Sequence, residues 1–161
     1  MRTCAMRPPT IATAVLSTLL VVGYAVLSGR WVASSDVWYR SLSRPPWQPP
    51  SVVIGLIWPY NFAVLIAAGL AVAFRGTTVD RVIWLAALLL SIIAALSWAR
   101  LFYVGHALWP AATALILAAA LNLPAVIAAW RTRTWAGAVL VPYAVWLILA
   151  ASLAIGYARR N

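Results

Sequence analysis

Acidic side chains are nearly missing from this chain: Asp36 and Asp80 are the only two in 161 residues. A surface built for water intersperses charges of both signs, so few faces of this protein are meant for solvent. Lysine is absent as well, and all twelve basic residues are arginine, which together with abundant alanine fits a GC-rich bacterial source. Cys4 is the sole cysteine, which excludes an intrachain disulfide and a multi-cysteine metal site. The acids fall outside the apolar runs and there is no carboxylate pair and no Ser/His/Asp set, so the familiar acid–base and nucleophilic constellations are missing.

What is present is apolar. Hydrophobic residues make up 65% of the chain, the composition of a membrane protein. A helical crossing needs roughly 20 mostly apolar residues, and five stretches qualify, at about 10–28, 51–74, 82–103, 107–130 and 135–157. The reading is a single all-α membrane domain over residues 1–161: a bundle of five transmembrane helices, integral and multi-pass in a bacterial cell membrane. No room is left for a soluble catalytic or DNA-binding domain. The apolar run from Ile11 to Leu27 is long for a signal peptide and is expected to stay as the first helix.

A formal charge of +10 would suggest nucleic acid in a soluble protein. Here the arginines lie at the ends of apolar runs, among them Arg30, Arg75, Arg81, Arg131, Arg133, Arg159 and Arg160, where they reach head groups or snorkel. The partner this implies is the lipid bilayer, not nucleic acid. Residues 29–50 form the one long connection, whereas RGTTVDR, VGHA and RTRT are short and hold successive helices antiparallel, with Thr134 placed to cap the last one.

The long connection ends in SRPPWQPPSVVIGLIWPYNF, from Ser43 to Phe62. Proline fixes its own backbone and biases the preceding residue towards an extended form, so Pro45-Pro46 and Pro49-Pro50 predict a stiff, extended strap. Pro50 falls where a helix starts without losing a hydrogen bond. Trp47 is then held at the membrane interface, where an indole keeps its N–H wet and its ring in acyl chain.

Three blocks, in order, resemble a known family. DVWYRSLSRPPWQPPSVVIGLIW (36–58) is similar to the W-Y-x-x-L…K/R-P-x-W-x-P-P…W approach to the second helix in the TspO/translocator proteins, also called tryptophan-rich sensory proteins or peripheral benzodiazepine receptors. SWARLFY (97–103) is similar to their W-[ST]-x-x-F-F on the third helix, and TWAGAVLVPYAVWLILAASLAIGYARRN (134–161) to their fifth, with V-P-Y-x-x-W and a basic tail. Ten tryptophans in this length agree with the resemblance.

The resemblance implies a five-helix bundle, a homodimer, and a ligand pocket between helices closed by the long first loop. It implies a pocket lined by Trp58, Phe62, Trp98, Phe102, Trp146 and Ala150; Trp38 and Trp47 of the connection, Asn61 and Arg100 are added as candidate ligand contacts from their own positions in the sequence. Spacing agrees independently, since Trp58/Phe62, Trp98/Phe102 and Trp146/Ala150 are i, i+4 pairs that each share a helix face. The plainer reading is that these rings pack against neighbouring helices. Pro142 is expected to bend the fifth helix just before Tyr143.

Departures from the family pattern fall at Ala95 and Ala154, where it has asparagine, at Phe62, where it has tyrosine, and at Arg100, where it has proline. Fewer polar groups make the pocket more apolar. Arg100 either snorkels or receives an anionic group such as a porphyrin propionate. His106 opens axial haem ligation in principle, with solvation the plainer alternative. Asn61 and Asn122 read as interhelical hydrogen-bond partners. The Leu153–Arg159 stretch satisfies a loose cholesterol-contact pattern, which leaves a sterol-like ligand open without implying one. Ala87, Ser91 and Ala95 give a smooth face for a second copy or for a helix of the same chain.

The leading function is a ligand-binding sensor or transporter-like receptor for apolar planar molecules, with porphyrin or haem as the ligand and no obligatory cofactor. A porphyrin-degrading or redox enzyme centred on tryptophan, and a membrane scaffold that regulates a partner protein, are the alternatives from other classes.

Overall fold

A computed structural model describes residues 8–33 and 36–161. Its helices are α1 (Pro8–Ala33), α2 (Asp36–Ser41), α3 (Ser51–Arg75), α4 (Thr78–Tyr103), α5 (Leu108–Thr132), α6 (Thr134–Ala138) and α7 (Val141–Arg160), with no strand among the described residues. Five spans are long and apolar enough to cross a membrane: α1, α3, α4, α5, and α6 and α7 taken together. The all-α five-span bundle expected from the sequence is therefore the fold.

Close approach depends on small residues, as expected where lipid offers no hydrophobic drive between helices. Ala87, Ser91 and Ala95 are buried, and the Ser91 hydroxyl donates to the Ala118 carbonyl at 2.9 Å. That smooth face of α4 is thus occupied by α5 of the same chain, which settles the choice between self-packing and a second copy there. Gly69 lets α3 approach α1 and α4: a Cβ would lie 3.0 Å from Ser17 and 3.2 Å from Trp84. Trp84 is fully buried and its indole N–H donates to Ser17 Oγ at 2.9 Å, so three helices meet around one satisfied polar contact. Most other hydroxyls in the spans return to their own helix, as Thr13 does to Pro9 and Ser97 to Ile93, at 2.8 Å each.

The helix ends correct one expectation and refine another. Thr134 does not cap the last helix; Arg133 holds the N-cap position of α6 without a side-chain bond. The cap with side-chain chemistry is at α4, where Thr77 and Asp80 form a reciprocal capping box and Asp80 also faces Arg131 at 3.5 Å. The last span does break, but at Val139–Leu140, with Pro142 in the first turn of α7. Proline has no N–H to lose there, so it starts the new helix and does not bend one already formed. Pro59 and Pro124, inside α3 and α5, remove one backbone bond each and free the carbonyls of Gly55 and Ala120.

The long connection is also more structured than a plain strap. It opens with α2, and a Gln48 N–H to Pro45 carbonyl bond of 3.1 Å closes a turn over Pro46 and Trp47. The turn presents Gln48 towards the bundle. Beyond it, Pro50 is the N-cap of α3, as its position suggested.

Candidate functional site

The packing order leaves a seam. α4 lies along α5 and α5 along α7, while α1 packs on α3 and α4, but α3 has only a sparse backbone interface with α4 and none of comparable extent with α7. Side chains must span that gap, and the large rings do so. Trp58 on α3 is the hub. Its indole lies nearly parallel to Trp98 of α4, with centroids 6.4 Å apart and planes 17° apart, and edge-on to Trp146 of α7 at 6.4 Å and 84°. Tyr24 of α1 meets Trp58 edge-on from behind at 6.1 Å. Offset and edge-to-face geometries of this kind are the favourable ones for rings of like quadrupole.

Between these rings is a cavity of about 70 Å³. α3 contributes Ile54 and Trp58, α4 contributes Trp98, Phe102 and Tyr103, and α7 contributes Trp146, Ala150, Leu153, Ala154 and Tyr157. The roof is Tyr39 of α2 and Gln48 of the turn. No acid, histidine, cysteine or serine lines it. The Trp98 and Trp146 indole N–H groups are buried without a protein acceptor.

The roof is latched onto the C-terminal end of α7. Gln48 accepts from the Tyr157 hydroxyl and donates to the Tyr39 hydroxyl at 3.2 Å, while the two phenols lie 3.1 Å apart. Asn161 clasps the chain further out: its Oδ1 accepts from Ser43 N–H at 2.8 Å and its Nδ2 donates to the Ser43 carbonyl at 3.3 Å. Between latch and clasp, Gly156 makes a notch. A Cβ at Gly156 would sit 2.8 Å from both Pro45 Cγ and Trp47 Cζ2, so only glycine lets the strap lie this close.

Outside the roof is a second chamber of about 630 Å³, bounded by Arg40, Arg44, the prolines at 45, 49 and 50, Ser51 and the end of α1 at Val32. Tyr39, Gln48, Ile54 and Tyr103 face both spaces, so they form the partition between a small apolar cavity and a larger basic antechamber.

Of the residues singled out in the sequence, Trp58, Trp98, Phe102, Trp146 and Ala150 meet at this cavity. Phe62 lies one turn deeper, stacked on Trp58 at 5.8 Å and edge-on to Tyr24 at 5.3 Å, behind the wall and not in it. Asn61 is fully buried away from the lining, and neither its amide oxygen nor its nitrogen has a partner, so the interhelical bond expected of it is not made. Trp38 packs edge-on to Phe102 at 5.4 Å and stacks on His106 at 3.9 Å and 10°, which places both Trp38 and His106 outside the cavity. His106 has a left-handed backbone, φ 52°, at the end of α4. Trp47 is 48% exposed and lies outside the cavity lining, with its ring edge against the Gly156 notch. Arg100 is exposed and lines neither chamber; the arginines at the mouth are Arg40 and Arg44.

Several lining residues escaped the sequence reading. Leu153, Ala154 and Tyr157 continue the α7 stripe begun by Trp146 and Ala150, and Ile54 precedes Trp58 by one turn, so extending the same i, i+4 rule would have found them. Tyr39 and Gln48 sit where no helical period runs through the cavity, and only the three-dimensional turn brings them in.

A sequence model of the TspO/MBR family matches residues 7–160, nearly the whole chain. No curated protein matches it.

Proposed function

Since the chain belongs to the TspO/MBR family, we propose that it is a membrane receptor or sensor that encloses apolar planar molecules, tetrapyrroles such as protoporphyrin foremost, among the rings of α3, α4 and α7. The observation that carries the reading is the convergence of Trp58, Trp98 and Trp146 from three separate helices on one cavity under a latched roof. Flat π-faces favour a flat conjugated ligand, and an aromatic lining with few polar groups suits an apolar one.

The cavity volume adds a mechanical requirement. About 70 Å³ is far below the roughly 300–1,000 Å³ of pockets that bury drug-sized ligands, so on this reading the cavity must widen to take one. Enclosure requires Gln48 and Tyr39 to leave the partition, which joins the inner cavity to the antechamber of about 630 Å³. Arg40 and Arg44 then stand where the acidic edge of a tetrapyrrole would emerge, the part the sequence had offered to Arg100.

Titration of the detergent-solubilised protein with protoporphyrin IX, read by tryptophan quenching, tests this. Saturable quenching in the parent chain and its loss in Trp98→Ala and Trp146→Ala is the expected result. Saturable quenching of equal affinity in both variants would remove the pocket from consideration.

A further inference from the structure

At the end of the bundle opposite the roof, α3 finishes at Arg75 and Arg133 is the N-cap residue just ahead of the last span. Between them is a second, unrelated recess: a groove of about 500 Å³ with Arg75 and Arg133 at its rim, Trp135 beside them, and Leu70, Phe74 and two alanines as its floor. The floor residues fall at successive i, i+3 and i+4 positions on one face of α3, so the apolar track runs from the rim inward along the helix. Leu70, Phe74 and Trp135 are 37%, 47% and 51% exposed, and all three belong to membrane spans, so the groove opens sideways into the bilayer.

The two guanidinium groups at its rim lack a countercharge. Asp80, the acid on this side, is taken up by the Thr77 capping box and by Arg131. Among the described residues, neither Arg75 nor Arg133 forms an ion pair, and no acid lines the groove. A paired positive rim above an apolar track, with an indole at the level of the head groups, is complementary to a molecule with a phosphate at one end and an acyl chain at the other.

We propose that this groove is a binding site for an anionic phospholipid of the surrounding bilayer. Its phosphate lies between Arg75 and Arg133 and one acyl chain follows the Leu70–Phe74 face of α3. A water-soluble phosphate would gain the rim but leave the track empty, and a zwitterionic lipid would bring its own ammonium to a site that is already cationic.

The test compares retention of phosphatidylglycerol and of phosphatidylcholine with matched acyl chains on the purified full chain, by native mass spectrometry and by the shift of the thermal midpoint. Two arginines near a membrane surface correspond to a preference of about thirtyfold. The parent should retain phosphatidylglycerol by about that factor, Arg75→Gln/Arg133→Gln should reduce the preference to within about threefold, and Arg159→Gln/Arg160→Gln, the same charge change at the other end, should keep it. If the double variant does not fold, Arg133→Gln alone should lose about half of the preference on a logarithmic scale. Equal retention of the two lipids by the parent, survival of the preference in the Arg75/Arg133 variants, or displacement of the lipid by millimolar inorganic phosphate would each overturn the assignment.

Discussion

Trp58 and Trp98 lie nearly parallel across the α3–α4 seam, their planes 17° and their centroids 6.4 Å apart. Because the two backbones share only a sparse interface there, these rings and not the helices fill the gap. On the proposed function, ligand entry would ask for ring rotation and release of the roof, with little displacement of the bundle.

Gly156 should control how closely the roof sits. Gly156→Val places methyl groups where Pro45 and Trp47 now lie, so the strap must lift. The expected outcome is readier quenching of tryptophan by acrylamide and faster protoporphyrin association, with helix content unchanged and a loss of about 1–3 kcal/mol from overpacking. Far-ultraviolet dichroism and stopped-flow quenching check both halves.

The latch should respond to a single atom. Tyr157→Phe keeps the ring but removes the hydroxyl that bonds Gln48 and Tyr39. Closure should weaken by about 1 kcal/mol, several-fold in the closed-to-open ratio, seen as faster amide exchange at residues 43–48 than in the parent.

Asn61 separates folding from binding. Its amide is fully buried with both polar atoms unpaired, a cost of about 1–3 kcal/mol, and it does not line the cavity. Asn61→Leu should therefore raise the thermal midpoint while protoporphyrin affinity stays within about twofold. A large loss of affinity would place the amide in the ligand's path.

The junction of α1, α3 and α4 should be the most sensitive part of the core. Trp84→Phe removes the bond to Ser17 and leaves a space beside Gly69, so a loss of about 2–4 kcal/mol is expected in thermal unfolding. Thr77→Ala, which removes only the α4 cap, should cost about 1 kcal/mol.

The spans were legible in the sequence because lipid demands long apolar helices and nothing in this chain competes with that signal. The cavity rings were legible too, through their i, i+4 spacing and the resemblance of the blocks that carry them. The rest depended on tertiary geometry. Composition does not reveal that a turn at Pro46–Trp47 aims Gln48 at Tyr157, or that Arg40 and Arg44 reach the mouth while Arg100 points away. Pro142 was legible as an interruption of the fifth span, and the break falls at 139–140 just ahead of it; what the sequence did not show is that the interruption divides the span into two helices, with the proline in the first turn of the second.

The most direct test is to lock the roof. In a Cys4→Ser background, Ser43→Cys/Asn161→Cys replaces the clasp between strap and C-terminus with a disulfide. Protoporphyrin association should be slowed at least about tenfold in the oxidised protein and restored by reductant, because a cavity of about 70 Å³ is too small for the ring unless the strap moves. Equal affinity and equal association rate in the oxidised and reduced forms would contradict a ligand chamber reached by lifting the strap.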